Sequence, residues 1–109
     1  MEKLVKGDIV VVDFYFSDLS TSKRRPAFVI VVEDNELVLA EITSKSRGID
    51  DILIKNQDFQ QGNLKEESWL RPLRLLTLHK SKIDYKIGHL KSFKIDEIIG
   101  VICGFFRKK

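Results

Sequence analysis

The apolar residues of this chain are skewed toward branching at Cβ: 12 Ile and 9 Val stand against 2 Ala in 109 residues. Branching at Cβ restricts a side chain against the preceding helical turn but fits the open pleat of a strand. The expectation is therefore a β-rich domain. The length fits a single domain over residues 1–109, with no room for a second core. Hydrophobic residues make up 43% and charged residues 32%, enough apolar surface to exclude a disordered chain. The longest apolar runs, 27–32 and 98–106, fall far short of the roughly 18 residues of a spanning helix. The first seven residues lack the apolar stretch of a secretion signal. One cysteine, Cys103, excludes an internal disulfide framework and a cysteine-based zinc site. No membrane partner, no metal and no cofactor are expected, and a soluble cytoplasmic protein is the default. Lys and Arg total 19 against 16 Asp and Glu, a net charge of +3. This is a mild pull toward a polyanion, whose meaning depends on where the cations fall.

The pattern along the chain gives the order of elements. Residues 8–16 alternate as a strand, with Val10, Val12, Phe14 and Phe16 on one side and Ile9, Val11, Asp13 and Tyr15 on the other. A polar loop, 17–25, follows. Residues 26–32 read as a strand buried on both faces, with Pro26 at its first position, where a missing N–H does least harm. Residues 33–36 make a hairpin turn in which Asn35 is expected to take a positive φ, and 37–43 return as a third strand. A second loop, 44–50, carries Lys45, Arg47 and Gly48. Short strands are expected at 51–54, 68–70 and 73–78, the last two separated by Pro72, with a turn at 60–63. Residues 83–91 are ambiguous. Ile95, Ile98, Ile99, Ile102 and Phe105 or Phe106 recur at helical spacing, with Ser92 as N-cap. Such short strands bury their apolar faces by curling into a small barrel, closed off by one C-terminal helix.

Two stretches carry chemistry. Lys23, Arg24 and Arg25 end the first loop immediately before a buried strand. An arginine anchored by a proline and a rigid strand has a fixed direction, and a fixed guanidinium grips a phosphate through two parallel donors. Ser17, Ser20, Thr21 and Ser22 add hydroxyl donors. In the second stretch, alternation sends Ile42 to one face and Glu41 and Thr43 to the other. Thr43 then ends a strand beside Lys45 and Arg47, as a phosphate ligand would, although threonine is also simply a good strand residue.

Taken together, Gly7-Asp8-Ile9-Val10, Asp13-Phe14, Arg25-Pro26-Ala27 with its aliphatic strand, and Ile42-Thr43-Ser44-Lys45 resemble the MazF/PemK (Kid) family of toxins from type II toxin–antitoxin systems. The likeness continues through the segment from Ser68 to Leu78, Ile87-Gly88-His89-Leu90 and the final helix. It implies a small SH3-like, CcdB/PemK-type barrel with a C-terminal α-helix, acting as a homodimer in the cytoplasm. It implies a metal-independent, sequence-selective endoribonuclease that cuts single-stranded RNA by attack of the RNA's own 2′-OH. Its partner would be a cognate antitoxin, and DNA binding would belong to the antitoxin complex. Carried over by position, the catalytic residues are Arg25 and Thr43. Ser17, Asp18, Ser20, Lys23, Arg24, Ser44, Lys45 and Arg47 would contact RNA. Donors aimed at charge building on the phosphoryl oxygens are the expected role for Arg25 and Thr43. A guanidinium with pKa above ~12 is a poor base, and Ser20 or Asp18 would help to orient the 2′-OH. Ser20 stands where some members carry a glutamate, and Tyr15 where a subgroup carries proline.

The remaining features have plainer readings. His79 and His89 lack a partner motif. Gly100 and Gly104 read as a close-packed helix face, and Cys103 as an inert core residue. Trp69 either stacks on a base or is buried, and Arg71 and Arg74 either extend a phosphate groove or form a solvated strand face. Two other functions fit the same fold: a non-catalytic RNA- or protein-binding module, and a CcdB-type gyrase poison.

Overall fold

The computed structural model describes residues 3–15, 22–46 and 48–108. Seven strands and one helix follow in order: β1 (Asp8–Tyr15), β2 (Ser22–Glu33), β3 (Glu36–Thr43), β4 (Ile52–Ile54), β5 (Phe59–Gly62), β6 (Ser68–His79), β7 (Tyr85–Leu90) and α1 (Ser92–Lys108). They form one antiparallel sheet in the order β4-β6-β3-β2-β1-β7-β5. The two edge strands are joined in sequence by a single 3-10 turn, Asn56–Asp58. A sheet whose opposite edges are that close along the chain has to curl, so the expected barrel-like β domain with a terminal helix is what forms.

Alternation divides the interior in two. Ile9, Phe28, Ala40 and Ile42 point into a cluster completed by Ile98 and Ile102 of α1. Their strand neighbours Val10, Val12, Ala27, Val29, Leu37 and Leu39 point into a second cluster on the opposite face. The central strands are therefore apolar on both sides, which is why residues 27–32 read as one continuous apolar run.

Several local expectations are corrected. The residue with positive φ in the first hairpin is Asp34, at 55°, not Asn35. Pro26 lies inside β2 instead of starting it; it pairs with Val11 of β1, and the ladder to β3 begins only at Ala27, so the strand is paired on one side there. The expected turn at 60–63 is β5 up to Gly62, and residues 68–79 are one strand with a large bulge at Pro72. The ambiguous segment contains β7. Lys91, not Ser92, caps α1: its carbonyl accepts the N–H of Ile95 at 3.1 Å. Along α1, Ile98 and Ile102 are buried, but so is Lys94, whose Nζ lies 3.7 Å from Asp58 and 3.2 Å from Glu97. Gly100 and Gly104 face open space and Cys103 is exposed, so neither the close-packing nor the core reading holds. Gly7 does need its lack of Cβ: its φ is 95°, and a Cβ there would drive into Ile95 of α1. No described helix is long and apolar enough to cross a membrane.

Candidate functional site

The antiparallel ladder between β2 and β3 places Ala27 opposite Glu41. Two residues beyond, the backbones part and the side chains of Arg25 and Thr43 meet instead. Arg25 Nη1 donates to Thr43 Oγ1 at 3.2 Å. Thr43 Oγ1 also accepts the backbone N–H of Lys45 at 3.3 Å. With its oxygen accepting from both, the threonine hydroxyl keeps its own proton available to a third group. Thr43 is 3% exposed, so it lies beneath the guanidinium, and Arg25 is the outward member of the pair.

Alternation puts Glu41 on the same face as Thr43, with Leu37 and Leu39 further along. Its carboxylate is buried, and Arg25 Nε meets Glu41 Oε2 at 3.1 Å. The other oxygen faces Arg71 Nη1 at 3.7 Å and Arg74 Nε at 3.8 Å. The β6 bulge explains this convergence. Ala40 pairs with Leu75 and Ile42 with Leu70, so Glu41 alone faces the whole segment from Arg71 to Arg74. Pro72 has no N–H to give the ladder, and the strand arches there, bringing both flanking arginines to one carboxylate. Arg71 Nε is buried without a hydrogen-bond partner among the described residues.

A groove of about 570 Å³ runs beside this cluster, its rim formed by Arg24, Arg25, Ser44, Lys65, Glu66 and Tyr85 over an apolar floor that includes Val11, Ile42 and Ile87. Arg24 donates through Nε to Asp84 at 2.8 Å. That hydrogen bond, with the attraction of the same carboxylate, pushes the Arg24 pKa above its ordinary value. Lys23, Ser44 and Lys45 are exposed. Ser17, Asp18, Ser20 and Arg47 lie outside the described residues. Trp69 is half-buried and paired with Thr43 and Leu53 in the sheet; the aromatic ring in the groove is Tyr85, which is 53% exposed.

The histidines hold the framework together. His89 Nδ1 lies 2.8 Å from Asp8, and His79 Nδ1 accepts the N–H of Ser81 at 3.0 Å. Among the described residues no group of three or more His, Cys, Asp or Glu is placed to hold a metal ion. The sequence reading singled out Arg25 and Thr43 but not Glu41 or Tyr85 as site residues. The signal for Glu41 was its shared strand face with Thr43.

No curated protein matches the chain. Among solved structures, an endoribonuclease in complex with its cognate antitoxin from a mycobacterial species is 11% identical, with a TM-score of 0.73 over 98% of this chain and 96% of that one. MazE–MazF from Deinococcus radiodurans is 14% identical, with a TM-score of 0.73 over 97% and 98%. The Mycobacterium tuberculosis toxin MazF-mt6 is 17% identical, with a TM-score of 0.65 over 92% and 98%. At such identities the likeness is one of fold. The family model described as "PemK-like, MazF-like toxin of type II toxin-antitoxin system" matches residues 5–106. That match spans nearly the whole chain, including both strands that carry the arginine–threonine pair, and the chain therefore belongs to the PemK-like, MazF-like toxin family.

Proposed function

We propose that this protein is a sequence-selective endoribonuclease that cuts single-stranded RNA without a metal ion, with Arg25 and Thr43 at its catalytic centre. The observation that carries the reading is the 3.2 Å contact between Arg25 Nη1 and Thr43 Oγ1, with Arg25 lining a groove that also carries Arg24 and Lys65. The 2′-oxygen attacks the adjacent phosphorus, the bond to the 5′-oxygen breaks, and a 2′,3′-cyclic phosphate and a 5′-OH result. The proton lost from the 2′-OH is balanced by one gained on the leaving oxygen. Negative charge builds on the phosphoryl oxygens, where a donor already in place is worth about 3 kcal/mol. Arg25 supplies that donor from the surface. Thr43 holds the guanidinium from below and adds its own proton once the strand is seated. Arg24, Lys23, Ser44 and Lys45 bind the flanking backbone, an interaction that weakens steeply with salt.

The protein acts in the cytoplasm as a homodimer held in check by a cognate antitoxin, as family membership and the antitoxin complex among its structural neighbours support. The test is incubation with single-stranded RNA in EDTA, followed by mapping of the ends. Cyclic phosphate ends that vanish with Arg25→Ala are expected. Binding without cleavage would leave a non-catalytic module, and inhibition of supercoiling without cleavage a gyrase poison.

A further inference from the structure

We propose that Glu41 is the positioning residue for Arg25, setting the plane of its guanidinium before substrate arrives. This rests on the reading of Arg25 as the phosphate-facing donor. A guanidinium is flat and carries five N–H donors in a rigid fork. Fixing two of its edges fixes its plane. Glu41 Oε2 sits 3.1 Å from Nε as an ion-pair contact, and Thr43 Oγ1 accepts an Nη1–H at 3.2 Å. The remaining Nη donors are left for a phosphoryl group, in a direction that does not have to be found during the reaction.

The surroundings of Glu41 show why it does not cancel the charge it holds. A lone carboxylate pairing with Arg25 would leave the two neutral overall. Here three guanidinium groups share one carboxylate, because Arg71 and Arg74 approach its other oxygen at 3.7 and 3.8 Å. These two distances are ion-pair contacts beyond hydrogen-bond length. Glu41 is engaged closely only by Arg25, the one arginine of the three that lines the groove; Arg71 and Arg74 line a separate depression with Asp50 and Asp51. Glu41 thus anchors Arg25 through one oxygen, while the two β6 arginines offset its charge from the other.

Glu41→Gln keeps the shape and an acceptor but removes the charge. Glu41→Asp keeps the charge and shortens the reach. Each is expected to lower kcat for RNA cleavage by about tenfold or more, with KM changed less than about threefold. Arg25→Ala is expected to regain part of its activity in added guanidinium when Glu41 is present, and none when Glu41→Gln accompanies it. A folded Glu41→Gln protein with the wild-type kcat, or guanidinium rescue that ignores Glu41, would overturn the proposal. If the Glu41 variants do not fold, NMR of the wild-type protein decides: a separately resolved Arg25 Nη–H resonance, the sign of a guanidinium whose plane is held, supports the anchor, and averaging of the Nη–H signals by free rotation refutes it. A wild-type protein that cuts no RNA would defeat the nuclease reading alone, since the resonance reports on Glu41 and Arg25 without any reaction.

Discussion

Asp8 and Glu41 are both buried carboxylates in the same sheet, yet the cations around them are arranged in opposite ways. Asp8 is fully buried and fully engaged. Its Oδ2 accepts the N–H of Val5 at 2.8 Å, and its Oδ1 takes His89 Nδ1 at 2.8 Å and Lys86 Nζ at 3.3 Å. Those contacts tie the approach to β1 onto β7. Glu41 has one close partner and two distant ones, all arginines, beside a groove. One carboxylate closes a joint; the other keeps cations ready. Burial of an acidic group therefore says little about function until the lengths of its contacts are compared.

The largest effect that would sharpen this contrast is on catalysis. Arg25→Ala should lower RNA cleavage about 100- to 1000-fold, measured with a short RNA at saturating protein, while thermal unfolding changes little. Asp8→Ala should do the reverse. Removing one partner of a buried ion pair costs about 3–5 kcal/mol; Lys86 and His89 keep side-chain exposures of 18% and 23%, which brings the expected loss to about 2–3 kcal/mol. That is a fall in Tm of about 10 °C or more by calorimetry, with cleavage per folded molecule retained. If Asp8→Ala lost cleavage while keeping its Tm, the division between joint and site would break.

Smaller effects test the groove. Tyr85→Ala should weaken single-stranded RNA binding by about 1 kcal/mol through lost stacking, read by fluorescence anisotropy, and unchanged binding would remove Tyr85 from the groove's function. Arg24→Gln should produce the smallest change, reducing the slope of log affinity against log salt by about 0.7 for one lost phosphate contact on a single strand. An unchanged slope would mean that Asp84 absorbs its charge.

Where local pattern and tertiary structure agree, the sequence was enough. β1, the hairpin of β2 and β3, and α1 follow from alternation, an apolar run and helical spacing. β5 was unreadable because Phe59-Gln60-Gln61-Gly62 has one apolar residue and a glycine; it is a strand only because β7 offers it a ladder. β6 looked like two strands because Pro72 interrupts it, and nothing local says that the chain arches there and continues. For the site, Arg25 stood out as the last of three consecutive cations before an apolar run and Thr43 as a strand end beside a basic loop, and the likeness to the toxin family made the pair catalytic. Glu41 did not, because a single acid in a strand ordinarily faces water. Its burial depends on Arg71 and Arg74, about thirty residues away, and a bulge with that reach leaves no trace in the spacing around residue 41.

The two outermost strands have a consequence for how this molecule meets other chains. β4 has three residues and β5 four, and β4 covers only Ser68–Leu70 of the twelve-residue β6. Strands this short are poor templates for edge-to-edge growth. They are equally poor seats for a partner docking by strand addition. A chain pairing by backbone would meet β6 instead, where Leu75 to His79 pair with β3 alone among the described strands.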